Sequence, residues 1–513
     1  MMNEVSARRE RLSDVAVGGA LGAAGLWFYG TRWIDLFPLD EFRSWLFLPL
    51  GSFGDLLRHV VLVRDRLQAT YASRGVSMFV VDKTAGVCNL DARCMNGAQI
   101  LTVVGSAILL YALVVRLLHR RTAAAVAGAL WLFSVAAADS ISWQSTIFDK
   151  LAACFTLVGL HVGLTFMRRR ATRSTLVAGN LALLGAVMLA NNAKESGWVL
   201  VPSLVLLAMA TVGQRFDWRT VGAKLSLLVV PALYAVWHYI RYQGPLRGDL
   251  TWSGHVNRGD AWANVQAYLR ILANGHPAFA NRFAFDVASF LVIASLALVA
   301  VAGAVIVIRR RGHDDRALVP DTTACFGLWA VGSFVVAIAI PLRTQFHDPY
   351  YMLVPALFLC ITFATGITIL EALPGHRWVA LGVRGAIVLL LVGTLLANFR
   401  TTYHEAYAAI PGQSDNFVRA LPQIGSVLPR TTDEPVYFVT ADARYNAYHF
   451  LGTATWRDVY QYIFPGSAPN PEYERHIVDI KRSTFDATPR AANAYYVVFD
   501  DAMRLVEIDH VSG

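Results

Sequence analysis

The residues best suited to chemistry are acids and cations set beside long apolar runs. Asp40 and Glu41 are adjacent in LDEFRSW. Such a doublet suits general-base work, one carboxylate taking a proton from an acceptor while the other orients it. The plainer alternative is that Asp40 caps the following helix and Glu41 favours its positive end. Asp149, in SWQSTIFDK, falls in the first turn of another apolar run that Ser145 or Thr146 would cap. Acids from two separate connections that converge on one cavity bind a polar substrate or a divalent cation. In NNAKESGWVLVP, Lys194 and Glu195 are pressed between apolar runs. An ionised group costs about 2.5–3.5 kcal/mol at the bilayer centre, and less near its surface, where the two neutralise each other. Functionally, a lysine at that depth is placed to hold a lipid phosphate. PLRTQFHDPYYMLVP adds Arg343, His347, Tyr350 and Tyr351. Arginine offers a fork of donors to phosphate oxygens, and histidine donates or accepts near neutral pH. The alternative for this segment is an interfacial aromatic and basic anchor.

These residues are set in a chain of 513 residues, 55% hydrophobic and only 16% charged. Soluble proteins carry about 25% charged residues, and the apolar residues here come in runs of about 18–25, each long enough to cross a bilayer. The composition excludes a soluble enzyme, a nucleic-acid binder and a disordered protein. It describes a polytopic membrane protein. The net charge of +9 is topological: Arg8, Arg9 and Arg11, then Arg116, Arg120 and Arg121, then Arg168, Arg169, Arg170 and Arg173 fall on alternate connections, the positive-inside pattern. Arg215, Arg219 and Lys224, the Arg309–Arg311 run and Arg377 continue it.

The runs give about eleven spans: Asp14–Trp33, Ala98–Leu118, Thr122–Ala138, Ile147–Met167, Ser174–Ala190, Gly197–Val212, Gly222–Tyr239, Ala284–Ile308, Thr322–Leu342, Pro349–Leu370 and Trp378–Asn398. The expected architecture is an all-α polytopic membrane domain over residues 1–398, followed by a small C-terminal α/β domain over 399–513. In the inner (plasma) membrane, the N-terminus is expected on the cytoplasmic side and the C-terminal domain on the other. The first run is read as a retained span, because it lacks a small-residue cleavage site. Two connections are long. Residues 34–97 include SWLFLPL and DLLRHVVLVRDRL, which read as helices lying in the headgroup region. Residues 240–282 are polar and rich in His, Trp and Asn. In the tail, PVYFVT and AYYVVFDD are β-branched and aromatic runs bounded by turn residues.

Cys88 and Cys94 share the first long connection, in CNLDARC. In an oxidising compartment they can pair, closing a ring worth about 2 kcal/mol; no neighbouring His or Cys completes a tetrahedral metal set. Cys154, Cys325 and Cys360 lie within spans and read as small apolar packers. GGALGAAG reads as small-residue helix packing, and His161 as facing a helix partner. His255 and His276 lack metal-ligand spacing. There is no G-x-S-x-G, P-loop or H-E-x-x-H.

An acidic doublet after the first span, an acid opening the fourth, a Lys-Glu pair before a proline-containing span and a later R…H…YY…P segment together resemble the GT-C glycosyltransferases. That family includes protein O-mannosyltransferases and aminoarabinose transferases. The resemblance covers residues 14–398 and rests on the order and common sidedness of short motifs. It implies inverting transfer of a sugar from a polyprenyl-phosphate carrier to a glycan, lipid or protein acceptor at the outer face. By the same resemblance Asp40 would be the base, Glu41 would assist, and Asp149 would match a second-loop acid. Lys194, Arg343 and His347 would neutralise the departing phosphate. The sequence departs from the family at WQST, which lacks the acidic or arginine-rich signature of well-known members, and in a tail without β-trefoil or repeat modules. Two rival readings use the same features: a transporter or flippase of lipid-linked sugars, with interior charges of its own, and a polysaccharide polymerase or ligase, for which residues 240–282 partly qualify.

Overall fold

The computed structural model describes residues 2–30, 53–62, 74–88, 92–142, 146–170, 172–212, 217–246, 321–339, 341–343, 349–371, 413–440 and 475–513, together with isolated residues at 265, 266, 268, 271, 463, 464 and 473. The expected spans Ala284–Ile308 and Trp378–Asn398 lie outside these residues, as do SWLFLPL and nearly all of 240–282.

The described part is mostly helical. Its membrane portion comprises α1 (Met2–Gly30), α2 (Phe53–Leu62), α3 (Gly75–Cys88), α4 (Ala92–Leu118), α5 (Arg121–Leu132), α6 (Val135–Ser142), α7 (Ile147–Met167), α8 (Arg173–Asn191), α9 (Leu200–Ala210), α10 (Trp218–Leu225), α11 (Val229–Leu246), α12 (Asp321–Ile338) and α13 (Leu353–Glu371). Among the described residues five stretches are long and apolar enough to cross a membrane: Leu12–Gly30, Cys94–Leu118, Ile147–Met167, Arg173–Asn191 and Trp218–Arg241. Three shorter apolar helices, Glu195–Ala210, Thr323–Ile338 and Leu353–Ile369, accompany them.

The expected span Thr122–Ala138 is not one helix. It breaks after Leu132 because Ser134 turns its hydroxyl back to the Trp131 carbonyl (2.8 Å) and accepts the Ala137 amide (3.2 Å). That local bonding ends one helix and caps the next. Gly197–Val212 likewise begins as a 3-10 turn, Glu195–Val199, before α9. Helix α3, which the sequence reading did not single out, is largely buried at its start, with Val76, Ser77 and Met78 inside.

Small residues set the helix spacing. In GGALGAAG, a Cβ on Gly25 would come within 2.7 Å of Val104 on α4. On α7, Cβ atoms at Gly159 and Gly163 would strike Leu200 and Leu204 of α9 at 2.5 and 2.3 Å. Rising residue numbers on both helices make α7 and α9 run in the same direction. Among the intramembrane cysteines Cys360 is buried, while Cys154 and Cys325 are half-buried. Cys88 and Cys94 are joined in a disulfide that ties the end of α3 to the start of α4.

The tail contains α14 (Gln413–Val427), α15 (Arg482–Ala487) and a four-stranded sheet of β1 (Val436–Thr440), β2 (Ile477–Lys481), β3 (Ala494–Phe499) and β4 (Leu505–Val511), in the order β2-β1-β3-β4. The first three strands are parallel, with Val436 opposite both Ile477 and Tyr495, and β4 pairs antiparallel to β3. The two runs PVYFVT and AYYVVFDD supply the central strands, as their β-branched and aromatic content predicts. Asp500 closes the β3–β4 turn by accepting the Ala502 and Arg504 amides at 2.9 and 2.8 Å.

A very close backbone approach lies between α8 and α9. A Cβ on Gly197 would stand 2.0 Å from the Ala190 carbonyl oxygen, and a backbone atom cannot swing aside. Gly197→Ala is therefore expected to destabilise the protein by about 1–3 kcal/mol, read as a lowered melting temperature in detergent. Gly222→Ala, where a Cβ would meet nothing within 4 Å, is the neutral control.

Candidate active site

Four chain segments bring charge together at one end of the bundle: the start of α7, the α8–α9 connection, the residues leading into α3, and the turn before α13. Asp149, in the first turn of α7, accepts a hydrogen bond from Lys194 Nζ at 2.6 Å. Both groups are buried. Lys194 Nζ also stands 4.4 Å from the centre of the Tyr351 ring, a cation–π distance. Beside this pair, Glu195 accepts from Arg74 Nε and Nη2 at 3.1 and 2.9 Å, and Arg74 lies over Phe148 at 5.5 Å. Lys194 and Glu195 thus do not neutralise each other. Each finds its counter-ion on a different helix neighbour.

Helix α3 is stitched to this connection by backbone as well. The Val76 amide donates to the Asn192 carbonyl at 3.1 Å, and the Ser77 hydroxyl to the Ala193 carbonyl at 2.9 Å. Lys150, fully buried next to Asp149, donates to Gln99 Oε1 and, at 2.9 Å, to Thr146 Oγ1. Thr146 occupies the N-cap position of α7, but its side chain does not cap the helix; the hydroxyl donates to the Ser140 carbonyl instead. Ser145, the other expected cap, lies outside the described residues. Among the described residues the cluster brings together the cations Arg74, Lys150 and Lys194 and the carboxylates Asp149 and Glu195.

Burial makes the Asp149–Lys194 pair demanding. Two charges out of water lose several kcal/mol of hydration each, which their mutual attraction offsets only with good geometry. A divalent cation on Asp149 would sit against the Lys194 ammonium, so the described residues do not fit one there. Among the described residues, no three His, Cys, Asp or Glu side chains group as metal ligands would.

Asp40, Glu41 and His347 lie outside the described residues. Arg343 ends a 3-10 turn, Pro341–Arg343, and Tyr350 lies in another, Pro349–Met352; their side chains are outside the described set. The last residue described before Asp40 is Gly30, at the end of α1. That end belongs to the same pole as Lys194, because the Tyr29 hydroxyl donates to the Leu132 carbonyl and the neighbouring Trp131 Nε1 donates to the Leu353 carbonyl at 3.0 Å, two residues from Tyr351. The opposite pole is basic: Arg121 Nε pairs with Asp14 at 2.6 Å, and Arg168 follows the end of α7. The 21 residues of α7 put about 31 Å between the two poles. His161 bonds across to α4, at Arg116 and Leu109.

Sequence reasoning missed Arg74, Lys150 and Gln99. Lys150 had a signal, a second charge inside an apolar run. Arg74 had none, for its partner is 121 residues away.

Removing one member of the buried pair should cost more than removing both charges. Lys194→Met is expected to destabilise the protein by about 3–5 kcal/mol, and Asp149→Asn added to it to restore much of the loss. Thermal unfolding of the single and double variants in detergent gives the comparison.

The chain matches no family model and no curated protein. Solved structures similar to it include the Archaeoglobus fulgidus oligosaccharyltransferase in complex with zinc and sulfate, 11% identical with a TM-score of 0.47 over 87% of this chain and 61% of that one. Another is AglB of the same organism in complex with an inhibitory peptide and a dolichol-phosphate, 11% identical, TM-score 0.44, over 88% and 64% of the two chains. A third is ArnT from Cupriavidus metallidurans bound to undecaprenyl phosphate, 14% identical, TM-score 0.42, over 95% and 92%. This chain spans less than two thirds of the length of the archaeal proteins.

Proposed function

We propose that this chain is an inverting membrane glycosyltransferase that takes a sugar from a polyprenyl-phosphate donor and transfers it to a glycan, lipid or protein acceptor at the extracytoplasmic face. In this reading the basic pole lies in the cytoplasm, the Asp149–Lys194 pole faces the other side of the inner membrane, and the C-terminal α/β domain lies on that same side.

The observation that carries the reading is the buried Asp149–Lys194 pair under Tyr351, with Arg74 and Glu195 beside it. The cluster stands at the end of membrane-spanning helices, where a carrier lipid can present its headgroup while its chain stays in the bilayer. Asp40, entering from the segment after Gly30, takes the proton of the acceptor hydroxyl. The hydroxyl oxygen attacks the anomeric carbon from the face opposite the phosphate, the bond from that carbon to the phosphate oxygen breaks, and the polyprenyl phosphate leaves with the electron pair. Charge grows on the phosphate as the bond breaks. Lys194 stabilises it there, joined by Arg343 and His347, an electrostatic contribution of the kind that dominates many catalysed reactions. Asp149 holds the ammonium charged and aimed. Glu41 orients Asp40, Glu195 steadies Arg74, and Tyr350 and Tyr351 wall the pocket. The placement of charge at one pole, away from the bilayer midplane, favours transfer over transport, because carriers gather their binding groups near the midplane.

Asp40→Asn is expected to lower sugar transfer by roughly 10²–10⁴-fold in vesicles with lipid-linked donors, with insertion and melting temperature unchanged. Full activity in that variant would remove the proposed base. Lipid and glycan profiling of a deletion strain should reveal one missing sugar decoration, which identifies donor and acceptor together.

A further inference from the structure

A second polar cluster lies at the basic pole, remote from the chemistry proposed above. Arg116 in the last turn of α4, Arg168 just past the end of α7 and Lys224 in the last turn of α10 converge there. Arg168 Nη2 donates to the Arg116 carbonyl at 2.9 Å. Arg168 feels the charge of Arg116, and Lys224 that of Arg168. Arg116 and Lys224 are half-buried between helices and Arg168 is exposed.

Among the described residues, the hydrogen-bond partners of all three are uncharged. Arg116 donates to His161 Nδ1 at 2.9 Å and to Thr165 Oγ1 at 2.8 Å, and Lys224 Nζ donates to Thr211 Oγ1 at 3.0 Å. His161 is held as the neutral Nε2–H tautomer, because Nδ1 accepts from Arg116 while Nε2 faces the Leu109 carbonyl at 2.9 Å. Two acids of this region are engaged elsewhere. Asp14 accepts from Arg121 and Tyr111, and Asp217 caps α10 through the Arg219 and Thr220 amides. Among the described residues, no carboxylate pairs with Arg116, Arg168 or Lys224.

The positive-inside rule asks for cations on this side, but solvated ones suffice. It does not call for turning Arg116 and Lys224 inward beside a third like charge. That arrangement repels itself until an anion joins it. The surroundings indicate which anion. Gly179 of α8 packs against Phe166 of α7 and against Leu227, just beyond Lys224, so the cluster borders α8. That helix presents Val177 and Leu181 outward, 55% and 63% exposed, as a bilayer-facing surface does. Trp218, 74% exposed at the start of α10, is a residue type that anchors at the headgroup level.

We propose that Arg116, Arg168 and Lys224 form a site for the phosphate headgroup of an anionic phospholipid, its acyl chains lying along the exposed face of α8. Basic pockets between transmembrane helices bind such headgroups.

Native mass spectrometry of the detergent-purified full chain, with phosphatidylglycerol, cardiolipin or phosphatidylcholine added, tests this. The anionic lipids should give retained adducts, and R168Q/K224Q should weaken them roughly tenfold or more while leaving phosphatidylcholine adducts unchanged. Melting temperature without added lipid checks that the variant is folded; if it is not, Arg168→Gln alone, at an exposed side chain, should give about a fivefold loss and Arg168→Lys should keep binding. Equal adducts in native and variant protein would overturn the site. Displacement of the lipid by millimolar inorganic phosphate would overturn the lipid as its occupant and identify a free anion instead.

Discussion

The Lys194 ammonium and the Asp149 carboxylate lie buried against each other at 2.6 Å. Water is largely excluded, neither charge can retreat to solvent, and each is held on a different helix. The pair therefore fixes how the α8–α9 connection meets the start of α7. From that contact follow the 3-10 turn of Glu195–Val199, the seating of Glu195 against Arg74, and the approach of Tyr351 over the ammonium. Gly197 belongs to the same constraint: only a residue without a Cβ lets the turn fold down onto the Ala190 carbonyl.

The two poles of the bundle use charge in opposite ways. At the Asp149 pole, cations meet carboxylates, Lys194 with Asp149 and Arg74 with Glu195. At the other pole, among the described residues, Arg116, Arg168 and Lys224 hydrogen-bond to neutral partners. The same helices, α4 and α7, join both, about 30 Å apart. A membrane helix of this length thus keeps the charges of the two poles out of each other's reach.

Much of the fold was legible in the sequence because the bilayer imposes a length on apolar runs. The fourth span, Ile147–Met167, coincides with α7, and PVYFVT and AYYVVFDD became the paired central strands. What could not be read was set by local hydrogen bonds or distant partners. Ser134 splits a run whose composition is uniformly apolar, since one hydroxyl bonded back to Trp131 outweighs hydropathy there. Asp149 and Lys194 were each visible as charges out of place, but not as each other's partner, because 45 residues separate them. Arg74 gave no periodic signal at all. Asp40, Glu41 and His347 are motif residues whose weight still rests on the sequence.

The ties that hold α3 differ greatly in the length of chain they wait for. Cys88 and Cys94 are six residues apart and can join soon after synthesis, whereas Arg74 must wait for Glu195, 121 residues later. During insertion one end of α3 is moored to α4 while its other end still lacks the connection it will grip. Several further helices have to be threaded into the bilayer before that end is fastened. The contact between α3 and the α8–α9 connection thus forms late, by capture of a segment already anchored, and a ribosome-bound chain cut short before Ala193 would carry the Cys88–Cys94 tie yet lack the other.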